Sequence, residues 1–387
     1  MKNRLNAILN SKALSSFTAS LLAILVGLLF GLIILLVSNP TQAWGGFSTI
    51  LLGGFTGGMR GLGQVLYHAT PIIMTGLSVG FAFKTGLFNI GAPGQFIVGA
   101  YAAVYIGVKW ASLPGGIHWL VALAGAGIAG GLWALLPGLL KARYNVNEVI
   151  ASIMMNYIGM YMVNYMVTKT VYDSLKNQSK APAKTAILPK LGLDKLFPQS
   201  SVGSGILIAI LMVVIIYLVL NKTTFGYELK ACGFNRDASR YAGINERRSI
   251  VLSMVIAGAL SGLGGGLLYL AGSGKHIEVL DVLAAEGFNG IPVALLGLSN
   301  PIGVLFAGIF IAYITVGGFY MQLYDFAPQI IDIIIASIIY FSAFALVFKQ
   351  LIARVAQKLG ARPEETPEAT AAAVAPPPAI NDGGDPQ

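Results

Sequence analysis

Apolar runs long enough to cross a bilayer recur along this chain, separated by short stretches of glycine, proline and charge. A spanning helix needs about 20 apolar residues, and residues 17–37 supply the first such run. Residues 39–60 are glycine-rich and too interrupted to span, whereas 64–83 read as the second span, with Pro71 inside it. Segment 86–107 is unusual because Asn89, Gly91, Pro93, Gly94 and Gln95 break into an otherwise apolar run. Non-helical backbone at membrane depth is tolerated only where it is buried in protein or lines an aqueous cavity, so a broken helix is expected here. Runs at 117–140, 146–168, 205–220, 249–270, 302–319 and 330–348 continue the series, and 285–298 is short and interrupted by Asn289, Gly290 and Pro292. The expected fold is an all-α polytopic membrane protein of about ten transmembrane helices, some of them broken.

Two details point to a path through the bundle. Residues 88–93 (FNIGAP) and 288–292 (FNGIP) form a faint two-half internal repeat of Gly/Pro-interrupted segments. Such paired segments mark translocation pathways at repeat interfaces. Glu148, Asn156 and Asn164 recur every eight residues and so share one helix face. Asn89, Gln95, Asn156 and Asn289 are the candidate path residues, their neutral amides suited to an uncharged polar solute.

Charge orients the chain. Lys2, Arg4 and Lys12 place the N-terminus (1–16) inside, and the run after them is too long, and lacks the small-residue site, for a cleaved signal peptide. Lys349, Arg354, Lys358 and Arg362 place the C-terminal tail (349–387) inside as well, disordered from about residue 361, where it becomes Pro-, Ala- and Glu-rich. The membrane-embedded body is then 17–348. Loop 169–204 is external by parity although it carries Lys176, Lys180, Lys184, Lys190 and Lys195, and the basic segment 221–248 is the cytoplasmic counterweight.

Within that segment, 225–248 (FGYELKACGFNRDASRYAGINERR) is the one charge-dense island between two spans. Asn235 is a good N-cap, 236–242 can form two helical turns, Gly243 is placed to end them in the left-handed conformation, and Asn245 offers a second cap. Ala238, Tyr241 and Ala242 share one face, and Arg236 and Arg240 form a basic pair on another. The island reads as a socket for another protein, with Gly233, Asn235, Arg236, Asp237, Ala238, Arg240, Tyr241, Ala242 and Gly243 as its candidate residues.

Composition narrows the chemistry. Hydrophobic residues make up 56% and charged residues only 11%, where a soluble protein carries about 25% charge. The net charge of +9 lies beside apolar spans, with no basic face interleaved with aromatics, which suits membrane lipids with anionic headgroups and argues against nucleic acid. The single Cys232 excludes an intrachain disulfide and a cysteine metal cluster. Neither a His-Glu-x-x-His motif, a nucleophile elbow nor a phosphate loop is present, and 272–275 (GSGK) has Tyr269 and His276 where a phosphate loop needs Gly and Ser or Thr. That segment is expected to be an external turn. Glu148 and Asp332 lie near span ends and no span centre carries an acid, which argues against an ion-coupled carrier. No catalytic residue, metal or cofactor is expected on this chain.

The segments FKTGLFNIGAPGQFIVGAYAA (83–103), NEVIASIMMNYI (147–158) and ACGFNRDASRYAGIN (231–245) together resemble the permease subunits of bacterial ABC importers in the branched-chain amino acid, ribose and nucleoside superfamily, most closely the nucleoside (purine or guanosine) branch. The resemblance covers about 64–348. It implies a bacterial plasma-membrane protein working with a second homologous permease, ATP-binding subunits that hold ATP and Mg, and an extracytoplasmic solute-binding lipoprotein. The island would be the coupling helix seated in a groove of the ATPase, and the lysine-rich outer loop would be open to an acidic binding protein. One departure is Pro93, where the family pattern has a glutamate. A sugar or branched-chain amino acid permease is the rival within the superfamily. A passive channel or ion-coupled carrier is the rival outside it, and would need no coupling helix.

Overall fold

The computed structural model describes residues 12–344, whose regular elements are helical apart from one short antiparallel ribbon. Helices α1 (Lys12–Ser38) and α2 (Ala43–Thr56) lead into α3 (Gly58–Lys84), α4 (Ala92–Lys109), α5 (Gly115–Tyr144) and α6 (Glu148–Thr170). The ribbon β1 (Tyr172–Asp173) and β2 (Gln178–Ser179) follows, then the single turn α7 (Leu193–Leu196) and the apolar α8 (Gly205–Lys222). Next come α9 (Thr224–Phe234), α10 (Arg236–Tyr241), α11 (Glu246–Tyr269), the short α12 (Ala285–Phe288) and α13 (Gly290–Leu296), and finally α14 (Pro301–Met321) and α15 (Pro328–Ala343).

Among the described residues, five helices, α3, α5, α8, α11 and α14, are long and apolar enough to cross a membrane. They differ in place: 89% of the most apolar stretch of α3 is buried inside the protein, against 33% for α8, so α3 is central and α8 faces outward. Large apolar side chains lie open on the outer helices, including Leu25, Leu29 and Ile33 of α1 and Leu211 of α8. In lipid such exposure costs nothing, because the acyl chains are as apolar as leucine.

Small residues decide how the centre packs. Gly258 and Gly262 of α11 lie against Gly130 of α5, and a Cβ built on Gly262 would meet the carbonyl of Ala126 and the Gly130 backbone. On the adjoining face Gly99 of α4 lies against the Gly262 backbone and Gly265 against the Phe96 carbonyl. The three helices therefore meet backbone to backbone, the close approach that small residues permit inside membranes.

The structure relocates several features read from the sequence. Most of residues 39–60 form α2, a 14-residue helix about 21 Å long, short of the roughly 30 Å hydrocarbon core, that packs on α14 where Gly53 meets Gly317. The break expected within 86–107 lies entirely before Ala92, and Pro93, Gly94 and Gln95 open a continuous helix instead of interrupting one. Proline fits there because the first turn of a helix leaves its N–H groups unbonded anyway. The expected interruption at 285–298 is present as the separate α12 and α13.

Loop 169–204 is folded onto the bundle. Ser179 N donates to Ile277 O (2.8 Å), Ala183 N to Gly107 O (2.8 Å) and Leu188 N to Leu270 O (2.9 Å), while His118 at the start of α5 reaches Thr185 Oγ1 (2.8 Å). Lys176, Lys180, Lys184, Lys190 and Lys195 remain exposed. Residues 272–275 form a turn with Gly272 and Gly274 at positive φ. The N-terminal residues 1–11 and the tail 349–387 lie outside the described residues.

Because backbone meets backbone at the α11 seam, Gly262→Val should destabilise the bundle by roughly 1–3 kcal/mol or more through overpacking. Gly116→Ala, where a Cβ meets nothing within 4 Å, serves as the control. Thermal unfolding of the detergent-purified proteins should show a lower midpoint for the first and an unchanged one for the second.

Candidate translocation and coupling sites

The turn that ends α3 begins the polar site. Gly86 adopts φ +74°, Gly86 N donates to Phe83 O (3.1 Å) and Leu87 N to Ala82 O (2.9 Å). This is the paired closure that ends helices when a glycine takes the left-handed conformation. Residues 87–91 then run without regular structure to α4, and three neutral side chains hold them. Asn89 and Gln95 exchange a reciprocal pair of hydrogen bonds (Nδ2 to Oε1 2.8 Å, Nε2 to Oδ1 2.9 Å), and Asn89 Nδ2 also donates to Ser78 Oγ (3.0 Å). Asn156 of α6 donates to Ile90 O (2.9 Å) and accepts from Gly94 N (2.9 Å), so it caps the first turn of α4 from a neighbouring helix. Ser261 Oγ of α11 donates to Ala92 O (2.7 Å).

Asn89, Gln95 and Asn156 are all buried, at 0, 1 and 2% exposure. In this conformation their amides bind the protein itself. Unpaired, a buried amide would cost about 1–3 kcal/mol, so the network fixes the loop firmly. Asn289 is set apart: it is half-buried at the junction of α12 and α13, and its side chain makes no hydrogen bond among the described residues. Of the face predicted on α6, Asn156 is buried, Glu148 pairs with Lys141 (2.9 Å), and Asn164 donates to Leu280 O (2.9 Å).

The two repeat-like segments converge on α3. Gly287 of α12 lies against the backbone of Pro93, and Gly290 of α13 against the Thr75 carbonyl. Thr75 Oγ1 lies within hydrogen-bond distance of Pro71 O (3.0 Å) and Glu286 O (3.1 Å), linking the proline-containing stretch of α3 to α12. Stacked rings of Phe83 and Phe88, 5.1 Å apart, flank the same loop.

The charged island folds as a helical hairpin. Thr223 caps α9 by accepting from Gly226 N (3.0 Å), a helix the sequence reading left as loop. Asn235 Oδ1 accepts from Ala238 N (2.9 Å) and starts α10; Gly243 at φ +81° ends it, with Gly243 N to Arg240 O and Ile244 N to Ser239 O both 3.0 Å. Asn245 Oδ1 accepts from Arg248 N (3.1 Å) and starts α11.

Asp237, Ala238, Arg240, Tyr241, Ala242 and Gly243 are exposed, Tyr241 at 94% and neighbouring Phe234 at 90%. An aromatic and small-residue surface this open covers nothing among the described residues. Arg236 departs from the expected basic pair. It turns inward, 3.3 Å from Glu246 Oε2 and donating from Nη1 to Asn145 Oδ1 (3.3 Å), and so ties α10 to the end of α5 and the start of α11.

Hairpin and loop meet at a pair of glycines. Gly233, near the end of α9, lies against Thr85 and Gly86, so closely that a Cβ on Gly86 would sit 2.5 Å from Gly233 Cα. Thr85 Oγ1 in turn bonds Ser253 Oγ of α11. Neither contact had a signal in the sequence beyond the glycines themselves, because each joins residues more than a hundred positions apart.

A bundle of apolar spanning helices, with a polar clamp inside and a capped helical hairpin exposed between two spans, is the architecture of a membrane transport component. The chain belongs to the family described as "Branched-chain amino acid transport system / permease component", which matches residues 61–344. Among its relatives, the "Guanosine ABC transporter permease protein NupP" of Bacillus subtilis is 40% identical over 348 residues, covering 90% of this chain and 99% of that protein. The "Nucleoside ABC transporter permease protein NupB" of Lactococcus lactis is 34% identical over 341 residues, covering 86% and 92%. A "Glucose ABC transporter permease protein" of Haloferax volcanii is 32% identical over 346 residues, covering 87% and 89%. No solved structure shows a significant match to the chain.

Two substitutions separate clamp from joint. Asn89→Leu strands Gln95 and Ser78 and should destabilise the protein by about 1–3 kcal/mol per stranded group, seen as a lowered unfolding midpoint. Gly86→Ala meets the Gly233 backbone and a positive φ at once. It should shift the hairpin relative to α3, read as faster proteolysis within 224–245, while the rest of the bundle keeps its protease resistance.

Proposed function

We propose that this chain is the transmembrane permease subunit of an ATP-driven importer of nucleosides. The observation that carries the reading is the exposed α10 with its Ala238, Tyr241 and Ala242 surface, taken together with likeness to relatives named for guanosine and nucleoside transport over nearly their whole length. Force would enter at α10, seated in a groove of a separate ATP-binding subunit that supplies ATP and Mg, since the sequence offers no phosphate loop. Small side chains at Ala238 and Ala242 suit such close seating.

In this reading about ten spans cross the plasma membrane of a bacterial cell, with both termini and 221–248 on the cytoplasmic side. The lysine-bearing 169–204 faces outward, toward an extracytoplasmic solute-binding protein. A second, homologous permease completes the path. Solute passes beside 85–91 and 285–292, where Asn289 presents a free amide and Asn89, Gln95 and Asn156 act by holding or releasing the loop. Tolerance of a neutral solute follows from the absence of acids at span centres.

The glucose-named relative supports a second reading, a sugar permease. Uptake of radiolabelled guanosine by a transport-deficient host expressing the chain with its partner subunits decides between them. Saturable guanosine uptake unaffected by excess glucose is expected; glucose uptake without guanosine uptake would establish the sugar reading instead. In the same assay Ala238→Trp should leave abundance near normal while co-purification of the ATPase and uptake fall together. Normal association and uptake in that variant would place force entry elsewhere.

A further inference from the structure

Three arginines meet at one end of the bundle with no acid paired to them among the described residues. Arg143 in the last turn of α5 and Arg247 and Arg248 in the first turn of α11 line an open groove of about 440 Å³, together with Asn245, Leu139, Ala142, Val251 and Leu252. The acids closest in sequence are already engaged: Glu148 pairs with Lys141 and Glu246 with Arg236. None of the three guanidinium groups takes part in an ion pair or side-chain hydrogen bond among the described residues.

The groove has an apolar extension. Ile128, Leu132, Leu136 and Leu139 lie at helical spacing on α5, 43–63% exposed, and the same stripe arrives at Arg143 one turn later. From residue 128 to 139 a helix rises about 16 Å. One leaflet of a hydrocarbon core is about 15 Å thick, half of the roughly 30 Å total. A ligand for this surface therefore carries negative charge at one end and a chain of leaflet length at the other.

We infer that the groove between the end of α5 and the start of α11 binds an anionic phospholipid, its phosphate held by Arg143, Arg247 and Arg248 and an acyl chain laid along Ile128 to Leu139. Basic pockets between spanning helices at the membrane surface recognise such headgroups. A soluble anion would use the arginines and leave the stripe bare. The inference is independent of which solute is carried.

The test is a lipid titration of the detergent-purified chain, followed by thermal unfolding and native mass spectrometry. Phosphatidylglycerol should bind and raise the unfolding midpoint, whereas phosphatidylcholine with the same chains and water-soluble glycerol phosphate should do neither at equal concentration. The combined Arg143→Gln, Arg247→Gln and Arg248→Gln variant should bind phosphatidylglycerol on the order of a hundredfold more weakly, from about fivefold per basic residue. The corresponding triple lysine variant, which keeps the charge and guards against a folding defect, should retain most of the binding. Undiminished binding by the glutamine variant, equal binding of phosphatidylcholine, or equal stabilisation by glycerol phosphate would each overturn the assignment.

Discussion

The backbone-to-backbone approach of α11 to α4 and α5 is the constraint on which the rest of this structure depends. Inside a bilayer there is no water to expel between helices, so their association rests on dispersion and shape. Gly258, Gly262 and Gly265 remove the side chains that would hold the axes apart, and Gly99 and Gly130 do the same on the facing helices. The seam fixes α4, and α4 fixes the polar loop before it: Ser261, one residue before Gly262, reaches the Ala92 carbonyl where α4 begins. Seam and clamp are thus neighbouring parts of one contact.

The clamp shows how neutral polar groups can be kept at depth. Asn89, Gln95 and Asn156 satisfy one another and the ends of the loop, and Asn156 supplies a cap that the α4 sequence lacks at Gly91. Proline at position 93 belongs to the same solution, since it removes an N–H that would otherwise need a partner in a buried first turn. The pinned conformation is stable because each amide is paired. Moving the loop requires those pairs to break or shift together.

Local structure was legible in this sequence wherever one residue carries its own geometric reason. Asn235, Gly243 and Asn245 cap and end helices through contacts within a few residues, and each does so as expected. Within the described residues the apolar runs likewise became helices, because period and length are local properties. What could not be read was the direction of side chains whose partners are distant. Arg236 looks like one half of an exposed basic pair until Asn145 and Glu246 are placed beside it, and nothing local to Asn89 announces that its amide is held by Ser78 and Gln95. Pro93 and Gly94 misled for the opposite reason: residues that break helices also start them, and only the fold decides which.

Gly233 and Gly86 press together with no hydrogen bond between them among the described residues. A contact of that kind is stiff in compression and slack in tension: hard-core repulsion rises steeply when backbones are driven together, while dispersion offers little resistance when they part. Movement of α9 toward the bundle would displace the 85–91 loop without loss, but movement away would leave the loop behind. Recovery of the loop then falls to bonds that can pull, Thr85 to Ser253 and the Asn89–Gln95 pair. Such a contact would transmit a push but not a pull, so any forward and return displacement of the loop would be driven by different forces.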